Sequence, residues 1–129
     1  MKEKLQRLLK NSYSPYSHFA VAAIVVMRDG TEFTGVNVEN ASYGAAICAE
    51  RTAILKAVSE GYHETKEFKE LHVMVDSSKI SSCCFVCRQV ITEFFSKEAP
   101  IYLYNNEGII QEYTVEELCP LPFSKEDLK

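Results

Sequence analysis

The chain has 129 residues and a mass of 14.6 kDa, a common size for one domain and enough to bury about 70% of its unfolded surface. Lys and Arg total 14 against 18 Asp and Glu, for a net charge of −4 and a pI near 5.4, which argues against nucleic acid as a partner. At 47% hydrophobic and 25% charged residues, the composition is that of a compact soluble domain, not a disordered tail or fibrous repeat.

Residues 2 to 12 place Leu5, Leu8 and Leu9 at i, i+3, i+4 among Lys, Gln and Arg, which predicts an amphipathic helix stopped by Ser14-Pro15-Tyr16. The mixed charges of Met1 to Arg7 lead into no apolar h-region, so secretion is not expected. Phe19 to Met27 is the longest apolar stretch. It falls well short of the ~20 residues of a bilayer span, so it reads as a strand and no membrane partner is expected. Arg28-Asp29-Gly30 turns the chain into a second strand at Glu32 to Val36. An irregular loop from Asn37 to Gly44 then precedes a buried helix over Ile47 to Ser59, ended by Gly61.

Phe68 to Val75 alternates Leu71, Val73 and Val75 with other residues and is broken by Asp76-Ser77-Ser78, a strand pattern. From Cys84 to Phe95, Val86, Val90, Ile91 and Phe94 recur at helical spacing. Ile101 to Tyr104 and Ile109 to Tyr113 flank Asn105 to Gly108 as a second hairpin, and a short helical piece near Val115 to Leu118 precedes Pro120. The expected architecture is α/β, with a single mixed five-stranded sheet carrying helices on its faces in one domain over residues 1–129.

Five cysteines in a reducing cytoplasm do not imply disulfides, and Cys83, Cys84 and Cys87 are too crowded for a disulfide framework. Cys84-x-x-Cys87 opens one predicted helix, and Cys48-x-Glu50 opens another. Partial positive charge at a helix start favours thiolate, the form that binds Zn²⁺. Three thiolates leave a fourth tetrahedral position open, as in catalytic rather than structural zinc sites. Glu50 falls in the least polar part of its helix, where a carboxylate beside metal-activated water suits acid–base work.

A His-or-Cys-x-Glu block followed by Pro-Cys-x-x-Cys marks the zinc deaminases that act on nucleobases. The chain resembles the small, homotetrameric cytidine deaminases along nearly its whole length. The likeness runs through Pro15-Tyr16-Ser17-His18-Phe19, the run Thr34 to Tyr43, Cys48-Ala49-Glu50-Arg51-Thr52-Ala53, Cys87-Arg88-Gln89-Val90 and Glu116-Glu117-Leu118. The resemblance implies a three-layer α-β-α fold, with Cys48, Cys84 and Cys87 as zinc ligands and Glu50 as the proton shuttle for attack of zinc-bound hydroxide on C4 of cytosine. It further implies Asn37 and Glu39 on the ribose 3′-hydroxyl, the Ala49 N–H on the pyrimidine O2, and Phe19 packed against the base. Tyr43 and Phe123 resemble residues lent by neighbouring subunits, and Arg51 resembles an arginine hydrogen-bonded to the ligand sulfurs. The implied activity is conversion of cytidine and deoxycytidine, as free nucleosides, to uridine nucleosides and ammonia in pyrimidine salvage, by a cytoplasmic homotetramer.

Where the family has Pro-Cys-Gly-Ala-Cys, this chain has Cys83-Cys84-Phe85-Val86-Cys87. Cys83 with Cys87 at i, i+4 is thus an alternative ligand pair. Phe85 and Val86 must project outward, repack a subunit contact or intrude on the pocket. These departures leave open a relative with a modified-nucleoside substrate, a non-catalytic zinc module, or a thiol redox protein using Cys84-x-x-Cys87. Cys119 reads as a core residue, and His18, His63 and His72 as surface or satisfied side chains.

Overall fold

The computed structural model describes residues 1–129. Five strands form one sheet in the order β2-β1-β3-β4-β5: β1 Val21–Met27, β2 Glu32–Val36, β3 Phe68–Val75, β4 Pro100–Tyr104 and β5 Ile110–Thr114. β1 is antiparallel to both β2 and β3, β3 and β4 are parallel, and β4 and β5 are antiparallel, so the sheet is mixed as expected. The parallel step requires a crossover, and α3 (Phe85–Phe94) supplies it.

Helix α1 (Lys2–Leu9) covers one face, burying Leu5 against Ala22, Ile24, Met74 and Tyr104. On the other face, α2 (Ala49–Ser59) and α3 pack Ala53, Ile54, Ala57 and Ile91 onto Ala23, Val25, Leu71, Val73, Ile101 and Leu103. The short α4 (Val115–Leu118) adds Val115 and Leu118 to that larger core. β1 is therefore covered on both sides, which explains why its sequence is a continuous apolar run instead of an alternation.

Direction within the sheet places the functional end. Because β1 runs opposite to both its neighbours, β2 and β3 point the same way, and each is followed by a helix, α2 and α3, on the same face. The start of β1, the ends of β2 and β3 and the starts of both helices thus gather at one edge, the usual position of a ligand crevice in α/β sheets.

The first helix ends at Leu9 instead of residue 12, and β1 begins at Val21 instead of Phe19. Residues between them are drawn onto the chain after β2 by a parallel bridge of Tyr13 with Val38, with Tyr13 N–H donating to Asn37 O and Glu39 N–H to Tyr13 O. Short 3-10 turns at Tyr43–Ala45, Thr65–Glu67 and Lys125–Leu128 occupy stretches that showed no periodic signal.

Helix α2 lies so close to β2 that a Cβ on Gly35 would stand 2.4 Å from Ala49 O and 2.6 Å from Ala53 N, both backbone atoms that cannot swing aside. Gly35→Ala is expected to lower stability by about 1–3 kcal/mol in chemical denaturation. Gly44→Ala, with nothing within 4 Å of its Cβ position, should change it by less than about 0.5 kcal/mol.

Candidate active site

Cys48 is the N-cap of α2 and Cys84 that of α3, both with extended backbone, so each helix begins by presenting a sulfur. Cys87, in the first turn of α3, donates its N–H to the Cys84 sulfur at 3.4 Å. The Sγ atoms of Cys48, Cys84 and Cys87 lie within 4.8 Å of one another, Cys48 and Cys84 at 3.6 Å. Sulfurs bound tetrahedrally at about 2.3 Å from zinc stand about 3.8 Å apart, so spacing and donor type both fit the ion. Cys83 lies outside this cluster, buried in the larger core, so Cys84 and not Cys83 pairs with Cys87.

The electrostatics favour an anion at Cys48. A hydrogen bond from the Cys87 thiol, with further ones from Arg51 and Cys84, holds Cys48 down at about 5, while the same bond pushes Cys87 up. Arg51 Nη2 donates to Cys48 Sγ at 3.4 Å, and this bond raises the guanidinium's already high pKa. Its Nε is buried without an acceptor. Three thiolates exceed the charge of a divalent ion by one, and the guanidinium supplies the balance.

Glu50, in the first turn of α2, is only 4% exposed. Burial is the main force raising its pKa, and the negative Cys48 beside it acts in the same direction. A carboxyl of raised proton affinity is thereby held next to the sulfurs, where it can take up and release a proton. Ala49 is the first residue of α2, so its N–H has no partner within the helix and is available to a ligand.

A cavity of about 400 Å³ opens over this cluster. Of the predicted residues, Phe19, Asn37, Glu39, Tyr43, Cys48, Ala49, Glu50, Arg51 and Cys84 line it, and Cys87 sits fully buried behind them. Tyr43 stands on the rim of its own chain's cavity, 81% exposed. Phe123 does not reach it and lies in a separate groove along α3, where Gln89 Nε2 donates to Phe123 O at 2.8 Å. The periodicity gave no sign of Ser17, Val21, Val73, Val75, Ser81 or Ser82 in the lining. Val73 and Val75 read only as strand interior, although they are the end of β3 at the crevice edge.

Asn37 has its side chain fixed by two backbone groups and one hydroxyl. Its Oδ1 accepts from Val21 N–H at 2.9 Å and Ser12 Oγ at 2.5 Å, and its Nδ2 donates to Phe19 O at 2.8 Å. With the oxygen filled, one N–H remains, so Asn37 can offer a ligand only a donor. Glu39 receives Tyr16 N–H, Ser17 N–H and the Ser17 hydroxyl, and these bonds, led by the hydroxyl, hold its carboxyl below the usual range.

Phe85 and Val86 point away from the cavity, 78% and 58% exposed, with the Arg88 guanidinium 4.4 Å above the Phe85 ring. Of the outcomes open to these two residues, intrusion on the pocket does not occur. Cys119 packs against the larger core. His72 is a satisfied side chain on the α1 side, bonded to Tyr104 Oη at 2.8 Å and to Glu70 and stacked on Tyr102.

Residues 1–103 match the family model described as the cytidine and deoxycytidylate deaminase zinc-binding region. The chain is 48% identical over 119 residues to a cytidine deaminase of Sporosarcina psychrophila, covering 92% of this chain and 85% of that protein. It is 43% identical over 128 residues to a cytidine deaminase of Halalkalibacterium halodurans, covering 99% and 94%. The crystal structure of cytidine deaminase from Burkholderia pseudomallei superposes with a TM-score of 0.88 at 37% identity, over 94% of each chain.

Metal analysis of purified protein should find about one zinc per chain, and Cys48→Ala or Cys84→Ala should remove most of it. Cys83→Ala should keep it.

Proposed function

We propose, from the premise that this chain belongs to the zinc-binding cytidine and deoxycytidylate deaminase family, that the cavity carries out the hydrolytic deamination of cytidine and deoxycytidine to uridine nucleosides and ammonia. The observation that carries this reading is the trio of sulfurs at zinc spacing beside one buried carboxylate at the floor of a ligand-sized cavity.

Cys48, Cys84 and Cys87 would hold zinc, which would supply Lewis-acid activation of water at neutral pH. Glu50 takes the proton released as water adds to C4 of the base. It delivers that proton to N3, then carries the proton of the new C4 hydroxyl to the departing amino group as the carbonyl forms, so that water enters and ammonia leaves with protons balanced. The Ala49 N–H at the start of α2 donates to the pyrimidine O2, and Phe19 packs on the ring. Asn37 donates to the sugar 3′-hydroxyl through its one spare N–H, and Glu39 accepts from it. Arg51 offsets the excess charge of the sulfurs.

The sugar end of the cavity presents the Glu39 carboxylate, and the sole basic lining residue, Arg51, is engaged with sulfur. A free nucleoside suits that end better than a 5′-phosphate, which like charge would repel. The outward course of Phe85 and Val86 removes the reason to expect an altered base pocket.

The finer parts of the reading are a homotetramer in the cytoplasm, working in pyrimidine salvage as one domain over residues 1–129. Phe85, Leu121 and Phe123 leave large apolar side chains on the surface around one groove, which supports burial between subunits, with Phe123 completing a neighbouring cavity and Tyr43, on the rim of its own, meeting a neighbour there. The thiolate cluster supports a reducing compartment. No helix is long and apolar enough to cross a membrane.

Following the absorbance of cytidine, Glu50→Ala should retain zinc and lose about 10²–10⁴-fold in kcat. Undiminished turnover in that variant would remove the proton-shuttle mechanism. Light scattering should give a mass about four times 14.6 kDa, and Phe123→Ala should lower kcat/KM about tenfold through loss of an aromatic contact from a neighbour.

A further inference from the structure

We propose that Ser17 is a positioning residue for the sugar end of the cavity, setting the Glu39 oxygen that receives the ribose 3′-hydroxyl; this rests on the deaminase reading above. Nothing in the Pro15 to Phe19 motif assigns Ser17 a task, yet Ser17 lines the cavity.

The two oxygens of Glu39 are not equivalent. Oε1 accepts Tyr16 N–H at 3.0 Å and Ser17 N–H at 3.1 Å, which fills both of its lone pairs. Oε2 accepts only the Ser17 hydroxyl, so its second lone pair is the acceptor left for a ligand. The hydroxyl's single proton is committed to that bond, and its oxygen accepts Phe19 N–H at 3.0 Å. Ser17 therefore links the sugar acceptor to the residue whose ring packs on the base.

The backbone is bent to make this link. His18 adopts φ +57°, the left-handed region that non-glycine residues rarely enter, and its N–H returns to Ser14 O at 2.9 Å. This reversal lets residues 16, 17 and 19 all bond within the same small network. Without the hydroxyl, Glu39 keeps its backbone donors on Oε1, but Oε2 loses the partner that holds it in register.

Binding of the sugar precedes chemistry at the base, so the effect belongs in KM more than in kcat. Steady-state kinetics on cytidine and on 3′-deoxycytidine, which lacks the hydroxyl that Glu39 receives, isolate it. Ser17→Ala should raise KM for cytidine about tenfold with kcat within about twofold, the scale of one hydrogen bond to a charged group. Its kcat/KM for 3′-deoxycytidine should fall by less than about twofold, and Ser17→Thr, which keeps the hydroxyl, should recover most of the cytidine value. Equal losses on both nucleosides, no loss on either, or a fall confined to kcat would each overturn the assignment. Failure of the unaltered protein to turn over cytidine would overturn the deaminase reading itself.

Discussion

Two helix N-termini meet at one point, and the rest of the molecule is arranged around that meeting. Each helix begins by offering a sulfur as its N-cap, where the helix field stabilises negative charge. Three anionic sulfurs within 4.8 Å repel one another strongly unless a cation lies among them. The chain meets this constraint with a donor set suited to zinc and with Arg51 bonded to Cys48. Glu50 follows from the same placement. One helical position on from Ala49, it is buried against the cluster and its carboxyl is pushed toward its neutral form.

Sheet topology makes the meeting possible. The antiparallel placement of β1 between β2 and β3 lets two strands of equal direction feed two helices on one face. Gly35 lets α2 settle directly on β2, with Ala49 and Ala53 backbone atoms where any side chain would stand. The first turn of α2, which carries Cys48, Ala49, Glu50 and Arg51, is thus held by backbone packing rather than by a loop, as a preorganised site requires.

Much of this was legible in the residues. Cys48-x-Glu50 and Cys84-x-x-Cys87 announce thiolate chemistry at two helix starts, and the apolar run of β1 announces a strand. The exact ends of elements were not legible, because residues 13 to 20 owe their course to hydrogen bonds with a segment some 20 positions away. For the same reason Ser17 gave no signal of its own: a serine in a turn looks like any other until its partner, Glu39, is in place. The choice between Cys83 and Cys84 likewise needed three dimensions. Adjacent thiols are identical as letters, but one turns into the core and the other caps α3. Phe123 marks the opposite limit, since its likeness to a pocket residue is not matched by a place in this chain's own cavity.

The sulfur cluster also ties together parts of the chain that are far apart in sequence. Cys48 and Cys84 are 36 residues apart, and the segment between them contains α2 and the central strand β3. An ion shared by the two helix starts acts as a clasp across that loop, favouring the folded chain by binding a geometry that the unfolded one lacks. Zinc bound there would therefore support the architecture as well as the chemistry, and its removal would lower resistance to heat and proteases.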